Sequence, residues 1–311
     1  MSYLYQACMI AFLGMEEKPK IVVIVGPTAS GKSDLAVVLA LQFNGEVISA
    51  DSRQVYKGLD VGTGKIMKEE MQGVPHHLLD VAPPDTVFSV AEYQHMGEVA
   101  IADILARGKL PIVCGGTGFY IRALVDGVML PDVPPNPELR VDLEGLNAQE
   151  LFTRLEAIDP VFAEIIDRHN PRRLVRAIEI ATALGAVPKL IKNEGYDPLY
   201  IGIDVPTEIL KERIHKRLYA RLDAGMIEEA QRLHSEGLTY ERMEDLGLEY
   251  RYLARYLNGS LDKETMLVEL EREILHYAKR QLTWFKSNKE IRWIPLGDVE
   301  SAKQLVAAFL T

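Results

Sequence analysis

Residues 21–33 read IVVIVGPTASGKS. Ile21 to Val25 are five apolar, mostly β-branched residues, the short continuous run of a strand buried on both faces. Asp34 to Phe43 has helical composition, with Leu35, Val38, Leu39 and Leu41 available for a packed face. Between them lie Gly26, four residues, then Gly31, Lys32 and Ser33, the spacing of a phosphate loop. In such a turn the backbone N–H groups point inward at phosphate oxygens and the helix N-terminus adds its dipole. Lys32 can reach the outer phosphates and Ser33 can ligate Mg²⁺. The motif leaves the reaction open, because kinases, ATPases and other pyrophosphate users share it.

The chain has 311 residues, enough for one large or two modest domains. Hydrophobic residues make up 48% and charged residues 26%, ordinary values that allow a sizeable core. A net charge of −10 argues against a protein that binds polyanions over its whole surface. The balance reverses locally: Arg168 to Arg221 holds eleven Lys and Arg against six Asp and Glu. Either a basic face or solvated helix surfaces would account for that bias. The two cysteines, Cys8 and Cys114, form neither a disulfide framework nor a zinc signature, and a reducing cytoplasm is the simplest compartment. The first residues contain a short apolar run without a basic flank, which fits neither a signal peptide nor a membrane span. Met15 reads as a natural start, with residues 1–14 as a disordered extension or a translation-start artefact.

Gly45 to Ala50 reads as a second strand, ending at Asp51, Ser52, Arg53 and Gln54. Ligands of open α/β sheets gather beyond the carboxyl ends of strands, so Asp51 should face the phosphate loop across a crevice. The alternative makes Asp51 and Ser52 a helix cap. Residues 55–84 are rich in Gly and Pro, with little periodicity, and read as a mobile or substrate-covering loop. His76, His77 and Asp80 lack the spacing of a metal site. Phe88 to Arg107 reads as a helix with Ser89 and Glu92 as its capping box, followed by a third strand, Leu110 to Cys114. Gly115, Gly116, Thr117 and Gly118 then offer a second close approach to a ligand, with Thr117 either a cap or a ligand-facing hydroxyl.

From Gly127 the pattern changes. A Pro-rich joint precedes helical segments at Ala148–Ala157, Asp159–Arg168 and Arg172–Leu184, which together read as a helical insertion over residues 128–198. Arg172 and Arg176 share a helical face there. The α/β core, begun over residues 15–127, resumes at residues 199–311 with a strand from Leu199 to Val205. The helix Thr207 to Leu222 carries Arg213, Arg217 and Arg221 at steps of four, a cationic stripe that repels itself unless anions neutralise it. A helix follows at Gly225–Glu236, then a turn at Leu246–Tyr250, a long helix at Lys263–Lys286 and a last strand near Ile291–Pro295. Lys279, Arg280, Gln281, Trp284 and Phe285 interleave cations with aromatics, a combination that suits phosphates and unstacked bases, or equally an amphipathic helix with Trp284 in the core.

Taken in order, GPTASGKS, DSRQVYKGLDVGTGK, PHHLLD, FSVAEY, GGTGFY, NPRRLVRAIE, RIHKRL and KRQLTWF make a chain that resembles the tRNA dimethylallyltransferases from about Met15 onward. The resemblance implies a P-loop, nucleotide-kinase-like α/β core with a parallel sheet and a helical insertion. It also implies transfer of a dimethylallyl group from dimethylallyl diphosphate to N6 of adenine 37, in tRNAs that read codons beginning with U. Mg²⁺ would assist the departure of diphosphate. By that resemblance Gly26, Pro27, Thr28, Ala29, Ser30, Gly31, Lys32 and Ser33 hold the diphosphate, and Arg217 neutralises the leaving group. Asp51 is the implied base and Thr117 its support. Asp51, Ser52, Arg53, Gln54, Thr117, Arg140, Arg172, Arg173 and Arg176 are the implied tRNA side, which Lys279, Arg280 and Gln281 join on the composition of their helix. No zinc-finger segment of the kind found in some eukaryotic members is present, which points to the bacterial type. One position departs from the pattern: Glu249 precedes Tyr250 where the family has Gly-Tyr, and a carboxylate there should repel phosphate.

Other functions fit parts of this sequence. A small-molecule kinase could use the loop for ATP and Asp51 for a hydroxyl acceptor, but the arginine-bearing insertion would be superfluous. A prenyl transferase for free AMP or ADP needs a pocket and no basic surface. A non-catalytic RNA-binding protein has no use for Lys32, Ser33 and Asp51 together. Neither a membrane nor an obligate protein partner is expected.

Overall fold

Ile21 to Val25 are fully buried because the strand they form, β1 (Lys20–Val25), has a neighbour on each side and apolar cover on both faces. The computed structural model describes residues 17–128, 131, 133–189 and 195–311. The expectations for residues 1–14 and for Met15 lie outside the described residues. The other strands are β2 (Gly45–Ala50), β3 (His76–His77), β4 (Leu110–Gly115), β5 (Asp197–Asp204) and β6 (Arg292–Pro295). Among the described residues they form one sheet in the order β3-β2-β4-β1-β5-β6, every pairing parallel. Parallel neighbours need crossovers, and helices supply them.

The first crossover contains α1 (Lys32–Gln42), which packs on β1, β2 and β4. Its buried side is Leu35, Ala36, Val37, Leu39 and Ala40, whereas Leu41, expected inside, is exposed. Residues 55–84, expected as a mobile or substrate-covering loop, are organised rather than mobile. They hold α2 (Lys68–Met71), the edge strand β3 and a bridge from Tyr56 to Ala82. Lys65 anchors them: its buried ammonium donates to the Tyr56 carbonyl (2.9 Å), to Asp60 (2.6 Å) and to Asp80. The helix α3 (Val90–Ala106) begins as its sequence demands, with Ser89 and Glu92 exchanging hydrogen bonds. It packs on α4 (Gly118–Val125) and on β2 and β4.

The chain divides into two units, Met1–Gly127 with Glu194–Thr311, and Val128–Asn193. The second has its own core of Leu143, Leu151, Phe152, Leu155, Leu174 and Ile178. Its helices are α5 (Pro137–Leu143), α6 (Ala148–Ile158), α7 (Pro160–Ala163) and α8 (Pro171–Leu184). Two expectations need correction here. The Pro-rich joint contains α5, capped by Asn136 with Pro137 at its first position. The helix expected over Asp159–Arg168 is only the single turn α7. Beyond it Asp167 turns the chain by accepting the His169 N–H, and Asn170 caps α8. Burial alone would raise the Glu179 carboxyl, but hydrogen bonds from Arg140, the Asn136 N–H and Arg176 outweigh it and hold the group below the usual carboxylate range.

The first unit continues after β5, which starts at Asp197, two residues before the expected Leu199. Helices α9 (Thr207–Asp223), α10 (Met226–Ser235), α11 (Tyr240–Leu246), α12 (Leu248–Leu257), α13 (Lys263–Lys286) and α14 (Val299–Leu310) complete it around β6. The turn expected at Leu246–Tyr250 is a break between two helices. Gly247, at φ 74° and ψ −177°, ends α11 and starts α12 in one residue, a conformation that side-chain-bearing residues rarely adopt.

At the amino end of β2 the buried Glu46 takes hydrogen bonds from Arg107, Lys109 (2.7 Å) and His77 (2.7 Å). The Arg107 bonds hold its carboxyl well below the usual carboxylate range. A depressed carboxyl pKa stabilises the fold above the unfolded value, and the gain is lost as pH falls through the folded value. Glu46→Gln is therefore expected to cost about 1–3 kcal/mol at neutral pH. Its unfolding free energy should also fall less steeply than that of the wild type below about pH 4, as read from urea melts across pH.

Candidate active site

Three adjacent strands deliver the site. β2, β4 and β1 are neighbours, paired so that Ala50 and Val25 both stand opposite Gly115. Their carboxyl ends therefore present Asp51, the Gly116–Gly118 turn and the phosphate loop side by side. The close approach requires Gly115 itself, since a Cβ there would run into the Ala50 carbonyl. The Thr117 N–H donates to that carbonyl (3.1 Å), and Thr117 Oγ1 accepts the Ser52 N–H (3.0 Å). Tyr277 of α13 is hydrogen-bonded to Thr117 as well, and burial raises its phenol.

The loop from Gly26 to Ser33 wraps the amino end of α1. Ala29 (φ 62°) and Gly31 (φ 82°) take the left-handed region, and Gly31 caps the helix without any side chain. The first N–H groups of α1 are thus left for a ligand. The Lys32 ammonium lies 3.3 Å from the Pro27 carbonyl. Burial lowers its pKa, against the opposing pull of Cys114 and Asp51. Asp51 is not a helix cap: its Oδ1 accepts the Arg53 N–H (3.0 Å) and the Gln54 N–H (3.4 Å) in a turn. Burial pushes the thiol of Cys114, which donates to the Lys32 carbonyl (3.5 Å), up to about 12.

The arginine stripe of α9 docks onto these loops. Arg213 Nε donates to the Ala29 carbonyl (2.7 Å), and Arg217 donates to Thr28 Oγ1 (3.2 Å) and the Gly64 carbonyl (3.1 Å). Arg221 donates to the carbonyls of Gly62 (3.2 Å) and Thr63 (3.1 Å) and to Glu249 Oε1 (3.0 Å). Burial first, and Arg221 next, bring Arg217 down to about 10. Gly64 (φ 58°) fits under these two guanidinium groups, where a Cβ would collide with both. The loop carrying those carbonyls is itself clamped by Glu229 of α10. The Glu229 carboxylate accepts the N–H groups of Asp60 (2.9 Å), Val61 (2.8 Å) and Gly62 (2.9 Å), and the Tyr250 hydroxyl (2.6 Å).

Phosphate loop, Asp51 and arginine stripe enclose one cavity of about 500 Å³. Its wall includes the hydroxyls of Ser33 and Ser49 and the carboxylate of Asp51. Such an all-oxygen donor set suits Mg²⁺, which keeps waters and shares substrate phosphates. Among the described residues no cluster of three His, Cys, Asp or Glu side chains forms a metal cage. His77 instead pairs with Glu46.

Of the residues expected to meet RNA, Arg53 and Gln54 line this cavity, and Arg53 lies over the Tyr277 ring at 5.2 Å. Gln281 is turned inward rather than outward. It is buried, takes the Thr28 N–H on Oε1 (2.8 Å) and donates from Nε2 to the Gly116 carbonyl (2.9 Å), tying the two glycine turns together. Lys279, Arg280 and Trp284 are exposed on the same helix, and Phe285 takes the core position. In the second unit Arg172 and Arg173 are exposed, while Arg140 and Arg176 pair with Glu179. Gln281 was within reach of sequence reasoning, because it falls on the helical face marked by Ile274, Ala278 and Phe285. No local signal marks Glu229, whose partners are distant in the chain.

A parallel sheet with a phosphate loop, facing a carboxylate across a basic cavity, defines a P-loop group-transfer protein. The IPP transferase family pattern matches residues 54–288. Two similar relatives are tRNA dimethylallyltransferase 1 of Geotalea daltonii, 47% identical over 85% of this chain and 86% of its own, and the tRNA dimethylallyltransferase of Anoxybacillus flavithermus, 41% identical over 90% and 91%. Among solved structures, the tRNA isopentenylpyrophosphate transferase of Bacillus halodurans superposes with a TM-score of 0.73 at 36% identity, covering 94% of this chain and 97% of that one. A eukaryotic dimethylallyltransferase acting on tRNA gives a TM-score of 0.79 at 26% identity, over 94% and 77%. The chain belongs to the IPP transferase family, the tRNA dimethylallyltransferases.

Proposed function

We propose that the protein transfers a dimethylallyl group from dimethylallyl diphosphate to N6 of adenine 37, in the anticodon loop of tRNAs that read codons beginning with U. The observation that carries the reading is the placement of Asp51 and the phosphate loop at strand ends around one cavity, with Thr117, at the end of the strand between them, holding the Ser52 N–H beside Asp51. The diphosphate sits against the N–H groups at the amino end of α1, with Lys32 and Arg217 taking up charge as the C1–O bond breaks. The electron pair of that bond leaves with the diphosphate oxygen. The N6 lone pair, weakened by delocalisation into the ring, forms the new bond to C1, and its proton passes to Asp51. Thr117 and Tyr277 hold the turn beside Asp51 in place. Mg²⁺, when bound with the donor, supplies charge neutralisation on the diphosphate, and the Ser33 hydroxyl would hold it. The buried crevice requires adenine 37 to leave the anticodon stack before it can react. With tRNA as acceptor, the site of action is the cytoplasm. Among the described residues no helix is long and apolar enough to cross a membrane.

A single-turnover assay tests the reading, with labelled dimethylallyl diphosphate, Mg²⁺ and unmodified tRNA bearing adenine 37, beside reactions offering AMP or ATP alone. Label is expected on tRNA; label on AMP alone would overturn the choice of acceptor. On the RNA side, Arg172 and Arg173 are the exposed cations of α8. Replacing both by Ala should weaken tRNA binding and lower the slope of log K against log salt by about 0.7–0.9 for each phosphate no longer neutralised. Donor affinity should stay constant in the same titrations.

A further inference from the structure

Residues 59–65 form a loop between α10 and the arginine stripe, and the backbone polar groups of that loop divide into three sets. The N–H groups of Asp60, Val61 and Gly62 converge on the Glu229 carboxylate, which also accepts the Tyr250 hydroxyl. The carbonyls of Leu59, Asp60 and Val61 are taken within the loop, by the Thr63 hydroxyl (2.6 Å), the Lys65 N–H (2.9 Å) and the Gly64 N–H (3.0 Å). The carbonyls of Gly62, Thr63 and Gly64 come next, and these are the ones that meet Arg221 and Arg217. Buried backbone groups have to be paired, so a carboxylate that claims three successive N–H groups fixes which way the following carbonyls point. Gly62 leaves the loop no slack on the α10 side, since a Cβ there would stand 2.7 Å from the Tyr250 hydroxyl oxygen. Thr63, Gly64, Arg217 and Arg221 line the cavity, whereas Glu229, only 8% exposed, stands behind that wall.

We propose that Glu229 is a positioning residue for the diphosphate leaving group, acting through this loop on Arg217. The proposal rests on the reading of the cavity as a diphosphate site. Arg217 is suspended between two oxygens, Thr28 Oγ1 of the phosphate loop and the Gly64 carbonyl. The first moves with the phosphate loop, so the second decides whether the guanidinium is held where charge grows as the C1–O bond breaks. A cation placed in advance neutralises that charge without reorganising. Glu229 can perform this only as a carboxylate, because Oε2 accepts from Asp60 and Val61 while Oε1 accepts from Gly62 and Tyr250. In Glu229→Gln an NH₂ group of nearly the same size faces two of those four donors, whichever way the amide is turned. The loop then shifts, and the Gly64 carbonyl leaves Arg217.

Titration calorimetry with inorganic diphosphate and Mg²⁺, beside filter binding of tRNA, tests this on the wild type, Glu229→Gln, Arg217→Lys and the double variant. Glu229→Gln is expected to weaken diphosphate about tenfold and to leave tRNA affinity within about twofold of the wild type. Arg217→Lys keeps a cation but not the planar fork that reads the Gly64 carbonyl, so diphosphate binding stays measurable. In that background Glu229→Gln should cost less than about twofold, because the path it acts through is already cut. A clamp with no path to Arg217 gives the same loss in both backgrounds, and that result would overturn the proposal. Unchanged diphosphate affinity in Glu229→Gln overturns it too, as does an equal loss for diphosphate and tRNA, the mark of a general loosening. Each of these results leaves the diphosphate site standing, whereas a wild type that binds no diphosphate removes the diphosphate-site reading and the proposal together. Should Glu229→Gln fail to fold, Tyr250→Phe takes one donor from Oε1 and spares the three N–H groups. It should weaken diphosphate about threefold alone and leave it unchanged beside Arg217→Lys. Wild-type affinity in Tyr250→Phe, or the same loss in both backgrounds, overturns the proposal.

Discussion

Asp51→Ala is expected to lower turnover about 10²–10⁴-fold while leaving tRNA affinity within a small factor of the wild type. The asymmetry follows from when the carboxylate is needed. Adenine N6 becomes acidic only as it bonds to C1, so a base at that position stabilises the transition state more than the bound complex. Asp51 is well supported for this task. Its Oδ1 is held by two backbone N–H groups, and Thr117 fixes the next residue through the Ser52 N–H. Asp51→Asn keeps that turn but cannot take a proton, so it should be nearly as slow as Asp51→Ala. Single-turnover rates and filter-binding constants measured on the same preparations decide the matter. Equal losses in rate and in tRNA binding would remove Asp51 from the chemistry.

The second large effect belongs to the donor side. Lys32→Met and Arg217→Gln should each weaken dimethylallyl diphosphate binding by about 2–5 kcal/mol, roughly 30- to 5,000-fold, with tRNA binding little altered. Both cations have pKa values drawn down by burial, Arg217 to about 10. Arg217, at about 10, keeps its charge at neutral pH and loses it sooner than a free guanidinium as pH rises. Donor affinity of the wild type should therefore be level near pH 7 and fall as pH rises toward 10. Arg217→Gln should lose the part of that fall that belongs to Arg217. Donor binding that remains constant through pH 10 would show that Arg217 does not carry the diphosphate charge.

The parts of this site that were legible in the sequence are those fixed by neighbours in the chain. A β-branched run, a glycine turn and a capped helix specify one another locally, which is why β1, the loop, β2, β4 and α3 stand where their residues indicate. The arginine stripe was visible as a stripe, but its neutralisation was not. Its spacing called for ligand anions, whereas protein carbonyls and Glu249 already engage Arg217 and Arg221. Local signals also failed where a residue has two uses. Gly247 reads as a turn and is the pivot between two helices. Gln281, expected on the tRNA side from the composition of its helix, is a buried bridge between glycine turns. The Gly- and Pro-rich stretch after Gln54 has no periodicity because its order comes from Lys65 and Glu229. Glu249, suspected of repelling RNA phosphate, faces Arg221 inside the crevice.

The central position of β1 has a consequence for the birth of the protein on the ribosome. The strand that carries the phosphate loop leaves the tunnel well before its two partners, β4 and β5, which arrive only about 90 and 180 residues later, and Arg213, Arg217 and Gln281 come later still. Long-range parallel pairing of this kind is slow, and until it happens an apolar segment such as Ile21 to Val25 is open to chaperones or to wrong partners. The residues of Val128–Asn193 emerge in the meantime with a core of their own and can fold while β1 waits. Nascent chains halted before β5 should therefore hold a folded helical unit and no grip on diphosphate. The capacity to bind the donor appears late in synthesis, as one event.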